Sequence, residues 1–191
     1  MGKNAELDTH VAQVLERIGE IARSLRWKQA GESGLSLLQI RILGFLNAHK
    51  GERIGVARLA EELQVSKPTI SESVKLLDER GLVLRKAGNG DGRSHALVLS
   101  ERGRKYATEA TPMIDTLSQL DTSTKEALLL GLMGVLEALF RSEEVQVQRL
   151  CFTCLHYQGD RRTKHKCLLL DRVLKVAELR SDCPEHEFRV S

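Results

Sequence analysis

Aromatic side chains are scarce in this chain: one Trp, two Tyr and four Phe among 191 residues. Its core must therefore be built mostly from Leu, Val, Ile and Ala, which favours helices packed through aliphatic faces. Long hydrophobic runs are lacking as well. The longest uncharged apolar run, Ala127 to Leu136, is half of the about 20 residues that a helix needs to cross a bilayer. Met1 to Asn4 lead directly into Glu6 and Asp8, without the apolar stretch of a secretory signal, so a cytoplasmic location is expected. There is no glycine-rich phosphate loop, no H-E-x-x-H and no thiol pair in a strand–helix–strand setting. These absences argue against the commoner enzyme classes. Cysteine is missing from the first 150 residues, and all four cysteines follow.

Charge is modest in sum, +3, and uneven in distribution. Residues 54–105 carry 10 basic and 7 acidic side chains, whereas residues 106–150 carry 3 and 7. The most cationic segment is the one a polyanion would contact.

That segment also holds the clearest pattern. Val56, Leu59, Ala60 and Leu63 stand at i, i+3, i+4 and i+7, the apolar stripe of a short helix. Val65 then plugs a tight turn. Ser66 suits an N-cap, and Pro68 in the first turn gives up only an amide hydrogen that has no helical partner. In the second helix Ile70, Val74 and Leu77 face inward, while Lys67, Thr69, Ser71 and Lys75 occupy the outer, N-terminal face, where short or cationic side chains can meet base edges and phosphates. Gly81 suits the residue that stops the helix. Next, Leu82–Arg85 and His95–Leu99 read as two strands. The glycine-rich Lys86–Ser94 stretch between them supplies the positive φ angles of a hairpin tip. An exposed hairpin beside a recognition helix can place a cation in the adjacent minor groove. The whole reads as a winged helix-turn-helix.

The run Asp91-Gly92-Arg93-Ser94-His95 through Gly103, together with Leu59-Ala60, Val65 to Ser71, Leu77 and Gly81-Leu82-Val83, resembles the MarR family of regulators. In layout the resemblance extends over residues 8–141. It implies a three-helix core with a β-hairpin wing, a homodimer held by the first and last helices, and a pseudo-palindromic duplex operator. It further implies that Arg93 is the minor-groove cation and that Asp91 orients it. The expected DNA-binding residues are thus Ser66, Lys67, Thr69, Ser71, Lys75, Lys86, Asp91, Arg93 and Ser94.

The flanking segments fit that reading. Leu7 to Lys28 carries Val11, Val14, Leu15, Ile18, Ile21, Ala22 and Leu25 as a broad apolar stripe, with Trp27 as an anchor near its end and Gly31–Gly34 as a break. Ser36 and Gln39 form a capping box for the following helix, in which Leu38, Ile42, Leu43, Phe45 and Leu46 face inward and which His49-Lys50-Gly51 ends. Past the wing, a helix from Ser100 or Glu101 to Leu120 is expected, broken or kinked at Pro112. Asp121 to Thr124 then cap a helix, Ala127–Phe140, that is apolar nearly all round. Such a helix must be covered on every side, and a symmetric partner would do so. The expected layout is residues 1–34 and 104–150 for dimerisation, 35–103 for DNA binding and 151–191 as an appendage: a mainly α fold with long dimerisation helices and a small metal-binding C-terminal piece.

The appendage departs from the family. Cys151 and Cys154 form a C-x-x-C pair, with Cys167 and Cys183 downstream and His156, His165 and His186 among them. In a reducing compartment clustered cysteines indicate metal or redox chemistry. Four thiolates satisfy one tetrahedral ion, so the expected metal ligands are Cys151, Cys154, Cys167 and Cys183 and the expected cofactor is zinc. An iron–sulfur cluster on the same thiolates, a mixed site using His165 or His186, and a metal-free redox switch are the alternatives. Cys167 to about Leu179 reads as an amphipathic helix through Leu169, Leu170, Val173, Leu174 and Ala177. A helix there would hold Cys167 and Cys183 apart. The expected function is a dimeric, sequence-specific transcriptional regulator, a MarR-like repressor answering a small-molecule, redox or metal signal. The alternative is a zinc- or thiol-dependent enzyme using the tail.

Overall fold

The computed structural model describes residues 2–87, 95–109, 112–141 and 149–189, and the chain divides into two compact units, 1–116 and 117–191.

Among its described residues the first unit is helical apart from one hairpin. Helix α1 (Gly2–Ser33) is followed by α2 (Leu37–Ala48), α3 (Val56–Leu63) and α4 (Lys67–Glu79), then strands β1 (Val83–Ala87) and β2 (His95–Leu99), and then α5 (Glu101–Glu109). α1 is longer than its stripe requires. It runs through Gly31 and stops only where Gly34 turns left-handed at φ 65°. A single glycine inside a helix costs about 1 kcal/mol, too little to end one. α2 begins with a reciprocal capping box: the Gln39 N–H donates to Ser36 Oγ at 3.2 Å, and Gln39 Oε1 accepts from the Ser36 N–H at 2.9 Å. Ile42, Leu43 and Leu46 of α2, Leu59 and Leu63 of α3, Ile70, Val74 and Leu77 of α4, and Val83, Leu97 and Leu99 of the hairpin form one buried aliphatic core. Phe45 and Tyr106 pack at its margin.

The hairpin is antiparallel, with Val83 opposite Leu99 and Ala87 opposite His95. Its first strand starts one residue later and runs two residues further than expected, since every residue from Val83 to Ala87 finds a ladder partner. The Leu97 N–H also donates to the Ile54 carbonyl at 2.8 Å, which ties the root of the wing to the chain entering α3. Ser100 locks the junction that follows. Its N–H donates to the Leu82 carbonyl at 3.0 Å and its hydroxyl to the Gly81 carbonyl at 2.7 Å, while the Gly103 N–H donates to the same hydroxyl oxygen at 2.9 Å.

The second unit takes in the chain past Thr116. α6 (Pro112–Ser118) begins at Pro112, so the proline opens a new helix, as its fixed φ and missing N–H allow. α7 (Thr122–Arg141) is capped by Asp121, whose carboxylate accepts from the Thr124 N–H at 3.0 Å and from the Ser123 and Thr124 hydroxyls. Those donors hold the Asp121 carboxyl far below the ordinary carboxylate range. Met133 and Phe140 of α7 share a second core with Leu150, Phe152, Tyr157, Leu174 and Leu179.

The tail itself is a three-stranded antiparallel sheet of β3 (Tyr157–Gly159), β4 (His165–Cys167) and β5 (Arg172–Val173), with short 3-10 turns at Cys151–Thr153 and Val176–Glu178. The helix expected over Cys167–Leu179 is absent. β4 instead pairs with β3 on one side and β5 on the other. Asp171 takes a left-handed φ of 45° in the intervening turn, and the Leu174 N–H donates to the His165 carbonyl at 2.9 Å. Leu169, Leu170 and Val173, which produced the helical spacing, are exposed; Leu174 and Leu179 alone of the leucines in that stretch are buried. Cross-strand pairing outweighed a local periodicity of between about two and three turns.

Candidate nucleic-acid interface and cysteine cluster

α4 is fastened to the core by Ile70, Val74 and Leu77, all with no measurable exposure, so its opposite side must point outward. Ser66, Lys67, Thr69, Ser71 and Lys75 are all exposed. Ser66 is the N-cap: its Oγ accepts from the Thr69 N–H at 3.4 Å and lies 2.8 Å from Thr69 Oγ1. The two hydroxyls are thus set together at the N-terminus of α4, where backbone N–H groups and the helix dipole favour an anion such as a phosphate. Lys75 Nζ is 3.9 Å from the exposed Glu79, a loose pair that leaves the ammonium able to meet a phosphate. Lys86 is exposed on β1, and Arg85 beside it is held by Asp78 at 3.2 Å. Asp91, Arg93 and Ser94 lie outside the described residues.

Three exposed helix faces carry large apolar side chains. On α1 Leu7, Val11, Val14, Ile18 and Ile21, spaced at four and three residues, form a stripe that no described residue of the first unit covers, and Trp27 is 61% exposed. On α6 and just after it Ile114, Leu117 and Leu120 are exposed, and on α7 Leu128, Val135 and Leu139. No described helix is long and apolar enough to cross a membrane.

The four cysteines are free thiols, and all four line one cavity of about 190 Å³. Backbone pairing positions them. The Cys151 N–H donates to the Arg180 carbonyl at 2.9 Å, and the Arg180 N–H returns a bond to Cys151 Sγ at 3.3 Å. The Cys183 N–H donates to the Arg149 carbonyl at 2.9 Å. Cys167 sits opposite Tyr157 in the sheet, and Cys154 is bridged to Phe188. Burial pushes the Cys151 and Cys183 thiols up from their ordinary range, partly offset by backbone N–H groups of Arg180 and Glu185, and the neighbouring cysteines push both up further. Among the described residues, no three His, Cys, Asp or Glu side chains are already drawn into a coordinating group.

The histidines sort differently from the sequence expectation. His165 is buried with Nδ1 2.8 Å from the Tyr157 hydroxyl, and His186 Nε2 is 3.0 Å from Thr153 Oγ1; neither lines the cavity. His156, two residues past the C-x-x-C pair, does line it. Its Nε2 is buried without a hydrogen bond, 3.4 Å from a Glu187 carboxylate oxygen. Its place in the C-x-x-C-x-H run was the available signal.

A two-helix motif on a three-helix core with an adjoining antiparallel hairpin defines a winged helix-turn-helix protein. Residues 33–94 match the family model described as MarR family. Among solved structures, MepR of Staphylococcus aureus in its DNA-binding conformation is similar at 23% identity and a TM-score of 0.56, over 68% of this chain and 98% of that one. A MepR variant from a multidrug-resistant S. aureus clinical isolate is similar at 22% identity and a TM-score of 0.57, over 68% and 96%. At these identities the likeness is one of fold. No curated protein sequence matches the chain.

Proposed function

We propose that this protein is a homodimeric, DNA-binding transcriptional regulator of the MarR type. The observation that carries the proposal is the face of α4. Its outward face presents the hydroxyls of Ser66, Thr69 and Ser71 and the ammonium groups of Lys67 and Lys75, while Ile70, Val74 and Leu77 fix its orientation from behind. Lys67 and Lys75 neutralise phosphates, and Thr69 and Ser71 reach base edges in the major groove. Lys86 extends the cationic surface along the wing, and Arg93, with Asp91 and Ser94 beside it, serves the minor groove as the family resemblance implies. MepR, of similar fold, is described in a DNA-binding conformation, which supports the same use of this surface.

The dimer follows from the uncovered apolar faces. A second copy burying the α1 stripe and the exposed leucines of α7 removes them from water and sets two α4 helices on one side of a duplex. Recognition helices about 34–36 Å apart meet successive major grooves, so the operator is pseudo-palindromic. A small molecule that shifts that spacing would act as the effector.

The test is fluorescence anisotropy with duplex pools at two salt concentrations. The parent is expected to bind with a steep salt dependence, and Lys75→Ala to reduce the salt slope by about one contact. Failure of the folded dimer to bind any duplex at low salt would overturn the reading.

A further inference from the structure

We propose that Cys151, Cys154, Cys167 and Cys183 bind one zinc ion as a closed four-thiolate site that holds residues 149–189 in their fold. This rests on the second unit alone and does not depend on the DNA-binding reading.

Convergence is the first argument. The four sulfurs come from three separate stretches, the 3-10 turn at Cys151–Thr153, the end of β4, and the chain after Leu179, yet they border one cavity. Registered backbone contacts bring them there. Arg149 bridges Asp182 in parallel, Cys154 bridges Phe188, and the Leu155 N–H donates to the Glu187 carbonyl at 2.7 Å. A hairpin between β4 and β5, in place of a helix, leaves enough slack for Cys167 and Cys183 to reach the same point.

The second argument is the surroundings of the sulfurs. The Arg180 N–H already donates to Cys151 Sγ at 3.3 Å. N–H donation of this kind supports a ligating thiolate, as outer hydrogen bonds do for metal ligands generally. On the cavity wall His156 turns its Nε2 to a Glu187 carboxylate oxygen 3.4 Å away, which leaves the four sulfurs as the ligand set.

The third argument is size. Residues 149–189 form strands of two and three residues, and their few buried apolar side chains, Leu150, Phe152, Tyr157, Leu174 and Leu179, complete a core only together with Met133 and Phe140 of α7. A piece this small needs a staple, and its thiols are not joined as disulfides. Zinc accepts four thiolates tetrahedrally at about 2.3 Å, which requires sulfurs about 3.8 Å apart. The four cysteines would hold the ion as thiolates, each giving up its proton to solvent on binding. With four thiolates no coordination position stays open, so the ion is structural and activates no water.

The experiment uses the full-length chain, purified reduced from zinc-replete cells. Elemental analysis is expected to give one zinc per chain. Cobalt(II) added to the chelator-stripped protein is expected to give the visible bands of tetrahedral thiolate coordination, with zinc displacing it. Cys183→Ser is expected to lose most of the zinc and His156→Ala to keep it. Stripping is expected to expose residues 149–189 to limited proteolysis while far-UV helicity persists. Metal-free protein whose reduced thiols take up neither ion overturns the proposal, even if Cys183→Ser misfolds. Stoichiometric iron and sulfide overturn it in favour of a cluster, and zinc lost from His156→Ala but kept by Cys183→Ser overturns the ligand set.

Discussion

The guanidinium of Arg161 reaches Glu137 of α7 at 2.8 Å, and Arg141 meets the same carboxylate oxygen at 2.8 Å from one helical turn away. The Glu137 side chain is 9% exposed, whereas both arginines keep substantial contact with solvent. The charge that depends on the arrangement is therefore the carboxylate, which links the loop after β3 to the helix beneath it.

That asymmetry yields the first prediction. Removing both cations leaves a buried charge unpaired, so the double variant Arg141→Ala, Arg161→Ala is expected to lose about 3 kcal/mol. Glu137→Gln frees two arginines that water can serve and is expected to lose less than about 1 kcal/mol. Thermal unfolding of the three proteins checks the order; a larger loss for Glu137→Gln would show that the packing, and not the charge, matters at this point.

Gly103 lies so close to the Leu82 carbonyl that a Cβ there would overlap it. Gly103→Ala is expected to destabilise the winged helix by about 1–3 kcal/mol by parting α5 from the α4–β1 junction. Gly44 in α2 has open space around it, and Gly44→Ala is expected to be neutral or stabilising by up to about 1 kcal/mol. Chemical denaturation followed by circular dichroism separates the two.

Asp121 supplies a pH dependence whose sign is set by its depressed carboxyl. A carboxylate with a lowered folded-state value stabilises fully above its unfolded value, about pH 4, and loses that effect as pH falls through the folded value. Asp121→Asn keeps a capping side chain without the charge. Its melting temperature is expected to lie below the parent's at pH 7, with the gap narrowing steadily below about pH 4. A gap that stays constant down to pH 2 would rule out the charge as the source.

The α1 stripe makes oligomeric state a sharp observable. Ile18→Glu places a charge in the centre of the exposed apolar face, and light scattering at micromolar concentration is expected to turn from dimer to monomer with helicity retained. A parent protein that is already monomeric would refute the assembly. Ile70→Asp, by contrast, buries a charge under α4 and is expected to unfold the motif and abolish duplex binding together.

The winged helix is legible in the sequence because its signals are local. Ser36 with Gln39, Ser66 with Pro68, and Gly81 each mark a helix boundary within a few residues, and Ile70, Val74 and Leu77 declare a buried face by spacing alone. The uncovered stripe of α1 was equally plain, since an amphipathic face does not depend on what covers it. The tail was not legible in the same way. Leu169, Leu170, Val173 and Leu174 imitate a helix, and only the pairing of β4 with residues before and after it decides for strands. Nor does a count of cysteines tell which histidine stands near them: His156 lines the shared cavity while His165 and His186 turn to Tyr157 and Thr153, a choice made by contacts across as many as 33 residues of chain. Caps, stripes and turn residues act over one or two turns and can be read along the chain; strand pairing, the gathering of thiols and the burial of Glu137 depend on which distant segments meet, and the folded structure alone decides that.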